Sequence, residues 1–404
     1  MTDLQYSNIK FVNYDKEKIK VIFKQKYYFF LNKAKLINRI GKFEIDKKDN
    51  SIINFNAPLK RSQTRFELFI EEGLDNLYNS NKNKKTYYIY EGVVPLIGTN
   101  EFGIIDRNTS ILEIKPSTGC NLSCVFCSVS EGINDKIDYL VEPDYLVSEI
   151  AELVKLKKSK SIEINIGPQG EPLLYPDLCY LIEELKKIPK IDIISMNSNG
   201  RLLTKELIDK LIEAGLDRIN VSFHSMNEET QKKVSGSAMS ISNFKELVVY
   251  AKDRIEIFLA PVYIPKLNEN IEPLIEFAKS YKTGNRIIGI QNFLNYKGGR
   301  NPVKQISFDD FYEMLAKLEK KHNIKLKLNP EDYNIVEDKV LTKPFKKNQT
   351  VDAVIKLPGR RNNEVIAEAK NRSITVYDCK FEAGKEIRVK LTRDKHNIFS
   401  GSRG

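Results

Sequence analysis

Residues 117–132 read STGCNLSCVFCSVSEG and place Cys120, Cys124 and Cys127 at a C-x3-C-x2-C spacing. Only two other cysteines occur in the 404 residues, Cys179 and Cys379. A single tight cluster in a chain expected in the cytoplasm points to metal rather than disulfides. A structural zinc site needs four protein ligands. Here only Cys179, Cys379 or one of three His could complete a set, and no second C-x2-C or His pair exists. Cube-type 4Fe–4S clusters normally take four Cys. Three thiolates would hold three irons and leave the fourth open, as in open catalytic metal sites.

Outward from this stretch, strand and helix patterns alternate. SILEIKP leads into the cysteines, and PDYLVSEIAELVKLKK behind them has helical apolar spacing. Then follow SIEINIG, DLCYLIEELKKI, IDIISM, TKELIDKLIEAG and RINVSF, and further pairs as far as FDDFYEMLAKLEKKH. Six or seven such units between about Ile111 and Lys325 predict an α/β core with a parallel sheet and outer helices. Chemistry in such sheets sits at the carboxyl ends of the strands.

Motifs follow those strand ends. GPQGEPLLYP comes after the second strand, Asn197-Ser198-Asn199-Gly200 after the third, INVSFHS at the fourth, and APVYIPKLNEN and GIQNF at the fifth and sixth. Together with the cysteine spacing and Phe126 before the last cysteine, this set resembles the radical S-adenosylmethionine (SAM) enzymes over residues 111–325. The resemblance implies a partial parallel (β/α)6-type barrel and two cofactors, a 4Fe–4S cluster on Cys120, Cys124 and Cys127, and SAM. It implies SAM contacts at Phe126, Gly170, Glu171, Pro172, Asn197, Ser198 and Ser222. Glu171 would meet the SAM ammonium, while Gln169 departs from the first Gly of the Gly-Gly-Glu-Pro motif. His224 and Gln291 are substrate-side candidates, and no catalytic residue is assigned. A reductant such as a ferredoxin or flavodoxin is implied as a partner.

The flanks differ from the core. Residues 1–106 contain no cysteine and mix aromatic-rich runs with a helical stretch, RFELFIEEGLDNLY, which predicts a small α+β domain. The core is expected at 107–330 and a linker at 331–344. The net charge is +11, from 65 Lys+Arg against 54 Asp+Glu. Residues 345–404 hold 14 Lys+Arg against 7 Asp+Glu, so a short tail carries most of the surplus. Its runs TVDAVIKL, EVIAEA, SITVYD, EIRVKLT and NIFSGS predict a five-stranded small β-barrel. The tail resembles a TRAM domain of the archaeal type, which implies RNA binding. Candidates are Lys356, Arg360, Arg361, Arg372, Lys390, Arg393 and Lys395, since basic barrels hold phosphates and stack bases.

Hydrophobic residues at 41% and charged residues at 29% exclude a disordered or collagen-like chain. MTDLQYSNIK lacks the apolar core of a secretory signal, and no apolar run approaches the ~20 residues that cross a bilayer. A cytoplasmic protein without membrane contact is expected. Cys179 and Cys379 read as core thiols. Asp394-Lys395-His396 lacks the Gly of a cobalamin-binding pattern, with Phe399 in its place, so cobalamin is not expected. The expected function is radical SAM modification of a structured RNA such as tRNA, with the tail as an electrostatic tether. The alternatives are a protein, peptide or small-metabolite substrate, or a non-catalytic Fe–S protein that binds RNA.

Overall fold

The computed structural model describes residues 2–132, 136–282 and 286–404. The chain divides into two compact units, Met1–Tyr90 with Asp135–Leu140, and Glu91–Asn134 with Val141–Gly404. The boundary expected at residue 106 therefore falls at Tyr90.

The first unit is α+β. Strands Ile9–Asn13, Lys18–Phe23, Tyr27–Asn32, Leu77–Asn79 and Lys84–Ile89 lie in one sheet, whose opposite edge is Asp138–Val141. Strand period two buries Phe11, Val21, Phe29 and Leu77 and turns their neighbours outward. Helix Leu59–Leu74 covers the buried side with Phe66, 5.7 Å from the Phe11 ring.

The second unit holds the parallel sheet. Its strands are β1 (Gly103–Asp106), β2 (Ile111–Lys115), β3 (Ile162–Ile166), β4 (Ile191–Ser198), β5 (Arg218–Val221) and β6 (Glu256–Leu259), in the order β6-β5-β4-β3-β2-β1. β2 to β6 are parallel and β1 is antiparallel. The short strands Val262–Tyr263 and Gln291–Asn292 pair parallel beyond β6, and Leu259 bridges Ile288. The Ile-rich strands are buried on both faces, as crossover helices require. Ile114 sits opposite Ile166, Ile166 opposite Met196, and Ser198 opposite Val221. That register brings the carboxyl ends, and the loops after them, to one rim.

The tail closes into a five-stranded barrel of β7 (Thr350–Pro358), β8 (Glu364–Ala369), β9 (Arg372–Tyr377), β10 (Glu386–Arg393) and β11 (Ser400–Arg403). Alternation fills it with Val351, Ile355, Val365, Ile374, Val389 and Phe399, and Cys379 lies in this core. Cys179, by contrast, is only half-buried, because its helix points Leu178, Leu181, Ile182 and Leu185 inward instead.

The barrel is not tethered by a free linker. Residues 336–338 run along the core: the Ser110 amide donates to the Val336 carbonyl at 2.9 Å, and the Asp338 carboxylate accepts from the Lys158 amide at 2.8 Å and the Ser159 amide at 3.0 Å. Segment 95–99 is stitched to the barrel by Ser373 N to Ile97 O at 2.9 Å, Phe399 N to Gly98 O at 2.7 Å, and Thr99 against the Thr375 hydroxyl at 3.0 Å. Gly98 has φ +136°, and a Cβ there would lie 2.1 Å from the Ser373 carbonyl oxygen. Gly98→Ala is therefore expected to unseat the barrel, read as faster protease cleavage between residues 331 and 344. Cleavage at the parent rate would argue that this stitch is dispensable. Among the described residues, no helix is long and apolar enough to cross a membrane.

Candidate active site

Successive strand ends supply the site. The cysteine loop follows β2, and residues 167–171 follow β3. Gly170 makes the contact between them. Its φ is +80°, and a Cβ would stand 2.8 Å from the Gly119 carbonyl oxygen, which also accepts the Glu171 amide at 3.0 Å. Glycine alone fits so close a backbone approach at positive φ. Gln169 extends Oε1 to Lys115 Nζ at 2.6 Å. Burial pushes the Lys115 amine down to about 8.

Glu171 is 2% exposed. Its Oε1 accepts from the Ser198 hydroxyl at 2.8 Å and the Leu173 amide at 3.1 Å, and its Oε2 from the Asn199 amide at 2.8 Å. Burial raises its pKa, and these donors oppose the rise without cancelling it. The carboxylate thus ties the turn after β3 to the turn after β4. Asn199 carries the tie onward, with Nδ2 donating to Asn121 Oδ1 at 2.8 Å and lying 3.7 Å from Cys120 Sγ. The thiol sulfurs also accept backbone amides, Leu122 N to Cys120 at 3.4 Å and Glu131 N to Cys127 at 3.3 Å.

A cavity of about 1000 Å3 opens on this rim. It gathers Cys120, Cys124 and Cys127 with Phe126, Gly170, Asn197, Ser198, Ser222, His224 and Gln291. Glu171 and Pro172 lie behind its wall rather than on it. The structure buries the Glu171 carboxylate among these donors, and Gly170 faces the cavity. Barrel residues Arg361, Tyr377, Arg393 and Phe399 line the same cavity.

The other basic candidates are scattered. Lys356 Nζ pairs with Glu368 at 3.1 Å. Arg360 is buried in an ion pair with Glu131 of the cysteine loop, a structural position that removes it from any RNA surface. Arg372 is half-buried, with its pKa lowered by desolvation. Lys390 and Lys395 are exposed away from the cavity.

Arg300 went unread in the sequence. Its Nε donates to the Cys124 carbonyl at 2.6 Å, its Nη1 to the Glu131 carbonyl at 2.7 Å, and its amide to the Cys127 carbonyl at 2.9 Å. The available signal was Gly298-Gly299-Arg300: a Cβ on Gly299 would lie 2.9 Å from the Cys127 carbonyl oxygen.

The family description Radical SAM superfamily matches residues 114–278. Residues 114–278 therefore form a radical SAM domain. An uncharacterised protein of Methanocaldococcus jannaschii is 36% identical over 404 residues, 90% of this chain and 93% of its own. GTP 3′,8-cyclase of Aquifex aeolicus is 31% identical over 180 residues, 44% of this chain and 54% of that enzyme, so this chain spans about half its length. The solved structure of Streptococcus suis SuiB bound to S-adenosylmethionine covers 80% of this chain and 72% of its own, at 16% identity and a TM-score of 0.43.

The radical SAM domain calls for a 4Fe–4S cluster and SAM, and the residues fit both. Three thiols face one cavity, and among the described residues no three His, Cys, Asp or Glu are set to hold a single ion. Burial pushes the Cys120 thiol up to about 11 and the Cys124 thiol up to about 12. Thiolates there need the positive charge that iron supplies. Asn121 Nδ2 in this loop and Arg300 Nη2 beside it are buried without a partner in the protein, as donors awaiting an anionic group would be.

His224 is buried, accepts the Val262 amide on Nδ1 at 3.1 Å, and meets the Phe126 ring edge-on at 4.7 Å. Burial pushes its pKa down to about 3. The ring is therefore neutral at pH 7, with its proton on Nε2. Its folded pKa is depressed, so the unfolded state binds the proton first. The stability it contributes is whole above about pH 6.5 and falls by ~1.4 kcal/mol per unit as pH drops towards 3. Urea unfolding between pH 7 and 5 should show a slope that His224→Asn flattens. An unchanged slope would mean that the ring charges in the folded protein.

Proposed function

We propose that this radical SAM enzyme abstracts hydrogen from a nucleotide of a structured RNA of the tRNA class. The observation that carries the reading is that Arg361, Arg393 and Tyr377 of the basic barrel face the same cavity as the three cysteines. Guanidinium groups hold phosphate and an aromatic ring stacks a base. A cavity of about 1000 Å3 has room for SAM and one nucleotide, but not for a helix. The target would enter unstacked, as bases do in enzymes that modify them. The barrel, read as a TRAM-type domain, is then a wall of the substrate site. The parallel strands together with Gln291–Asn292 are read as the (β/α)6-type half-barrel.

When bound, the cluster and SAM supply one-electron cleavage to methionine and a 5′-deoxyadenosyl radical. The residues of the chain position and shield. Gly170 and the turns after β4 and β5 would hold SAM, with Ser222 beside it. Phe126, packed with Val234, Ile264 and Phe293, keeps water from that side. The electron would come from a ferredoxin or flavodoxin in the cytoplasm.

The similarity to GTP 3′,8-cyclase favours a second reading, a free purine nucleotide held by the same arginines. One assay separates the two: 5′-deoxyadenosine formed by the reconstituted enzyme under reduction, with tRNA from a strain lacking the gene, or with GTP. Stimulation by tRNA supports the proposal. Stimulation by GTP alone transfers it to the second reading, and stimulation by neither rejects both.

A further inference from the structure

We propose that the outward face of the first unit's sheet is a stacking platform for single-stranded RNA. Pairing register puts Lys10, Ile22, Tyr28, Tyr78 and Lys85 in one row across the strands, and Val12, Lys20 and Phe30 in the next. The rings form a continuous group, with Tyr14 to Phe30 at 4.8 Å, Tyr28 to Phe30 at 5.5 Å, and Tyr28 stacked on Tyr78 at 5.8 Å. Lys20 Nζ lies 4.1 Å from the Tyr28 ring centre and Lys18 Nζ 5.8 Å from that of Phe30.

Sheet stability alone does not account for this face. Tyr14 is 59% exposed and Phe30 37%, so much of the aromatic surface meets water. Strands 9–13, 18–23, 27–32, 77–79 and 84–89 contain five lysines and no Asp or Glu. Acidic groups stand at its margins: Asp15, whose carboxylate caps the Glu17 and Lys18 amides at 2.7 Å, Asp49 within electrostatic reach of Lys10, and Asp75 within that of Lys85. The face therefore fits a polyanion that also has flat rings. Bases stack on exposed aromatics, and flexible lysine stems can swing from ring to phosphate. A second copy would set like-charged lysines against each other, and an anionic membrane would take lysines and rings without using the ring-by-ring row that stacked bases match.

The inference shares the RNA class with the proposed function. Its test reads binding rather than turnover, so either can fail alone. The full reconstituted chain is titrated with fluorescein-labelled oligo(U) of about 12 nucleotides. Tyr28→Ala with Phe30→Ala should weaken binding at least ~10-fold, and Tyr28→Phe should retain it. Lys18→Ala with Lys20→Ala should lower the slope of log affinity against log salt by about 1–2. Parent affinity in the folded aromatic variant overturns the proposal, with folding checked by circular dichroism. So does oligo(U) binding lost only with Arg361→Ala and Arg393→Ala. Aromatic-dependent binding to phosphatidylserine vesicles without oligo(U) binding, or aromatic-dependent self-association in sedimentation, overturns it as well.

Discussion

Replacing Arg360 with alanine is expected to cost about 3–5 kcal/mol of stability and to lower the iron held per chain. Arg360 and Glu131 form an ion pair with side chains 5% and 4% exposed. Removing the guanidinium leaves a buried carboxylate without its counter-charge. Glu131 is also part of the cluster loop: its amide donates to Cys127 Sγ, and its carbonyl accepts Arg300 Nη1. A shift of Glu131 therefore reaches a sulfur ligand through one residue. The double variant Glu131→Ala with Arg360→Ala removes both charges and should recover part of the loss. Arg360→Lys should recover less than the parent, since an ammonium lacks the planar fork. The measurements are denaturant unfolding, and iron and sulfide per chain after anaerobic reconstitution. An Arg360→Ala protein that unfolds and loads iron like the parent would show that the pair contributes nothing to the seat of the barrel.

Replacing Glu171 with alanine should weaken SAM binding at least ~10-fold and destabilise the fold together. Its oxygens hold the Ser198 hydroxyl and the amides of Leu173 and Asn199, and each buried donor left unpaired costs roughly 1–3 kcal/mol. The turn so freed carries Asn199, which reaches Asn121 and Cys120. Glu171→Gln keeps one acceptor but sets an NH2 against an amide donor, so it should rescue only in part. Calorimetric SAM affinity and the unfolding midpoint should fall in parallel across the two variants. Loss of affinity at full stability would instead mean that the carboxylate touches SAM directly.

Much of the core was legible because its signals are local. Thiol spacing, the Gly170 turn and the helical and strand periods lie within a few residues of each other, and β2 to β6 begin near the expected runs. The tail reads as five strands and closes as five. The end of the first unit at Tyr90 was not legible, because segment 91–102 has little periodicity and acquires its role from distant partners. The partners of the Glu171 carboxylate were not legible for a related reason. A motif names the residue but not the side of the turn it occupies, and burial against Ser198 decided that.

The sequence by itself determined the chemistry class, since three thiols at one spacing and ordered strand-end motifs need no long-range contact to be recognised. It also determined the barrel, through alternation and turn residues. Only the tertiary structure decided that the barrel walls the site. Thr99 with Thr375 and Glu131 with Arg360 are separated by 276 and 229 residues. No local propensity couples positions so far apart. Their pairing follows from packing the barrel against the core within one unit so that buried polar groups are satisfied.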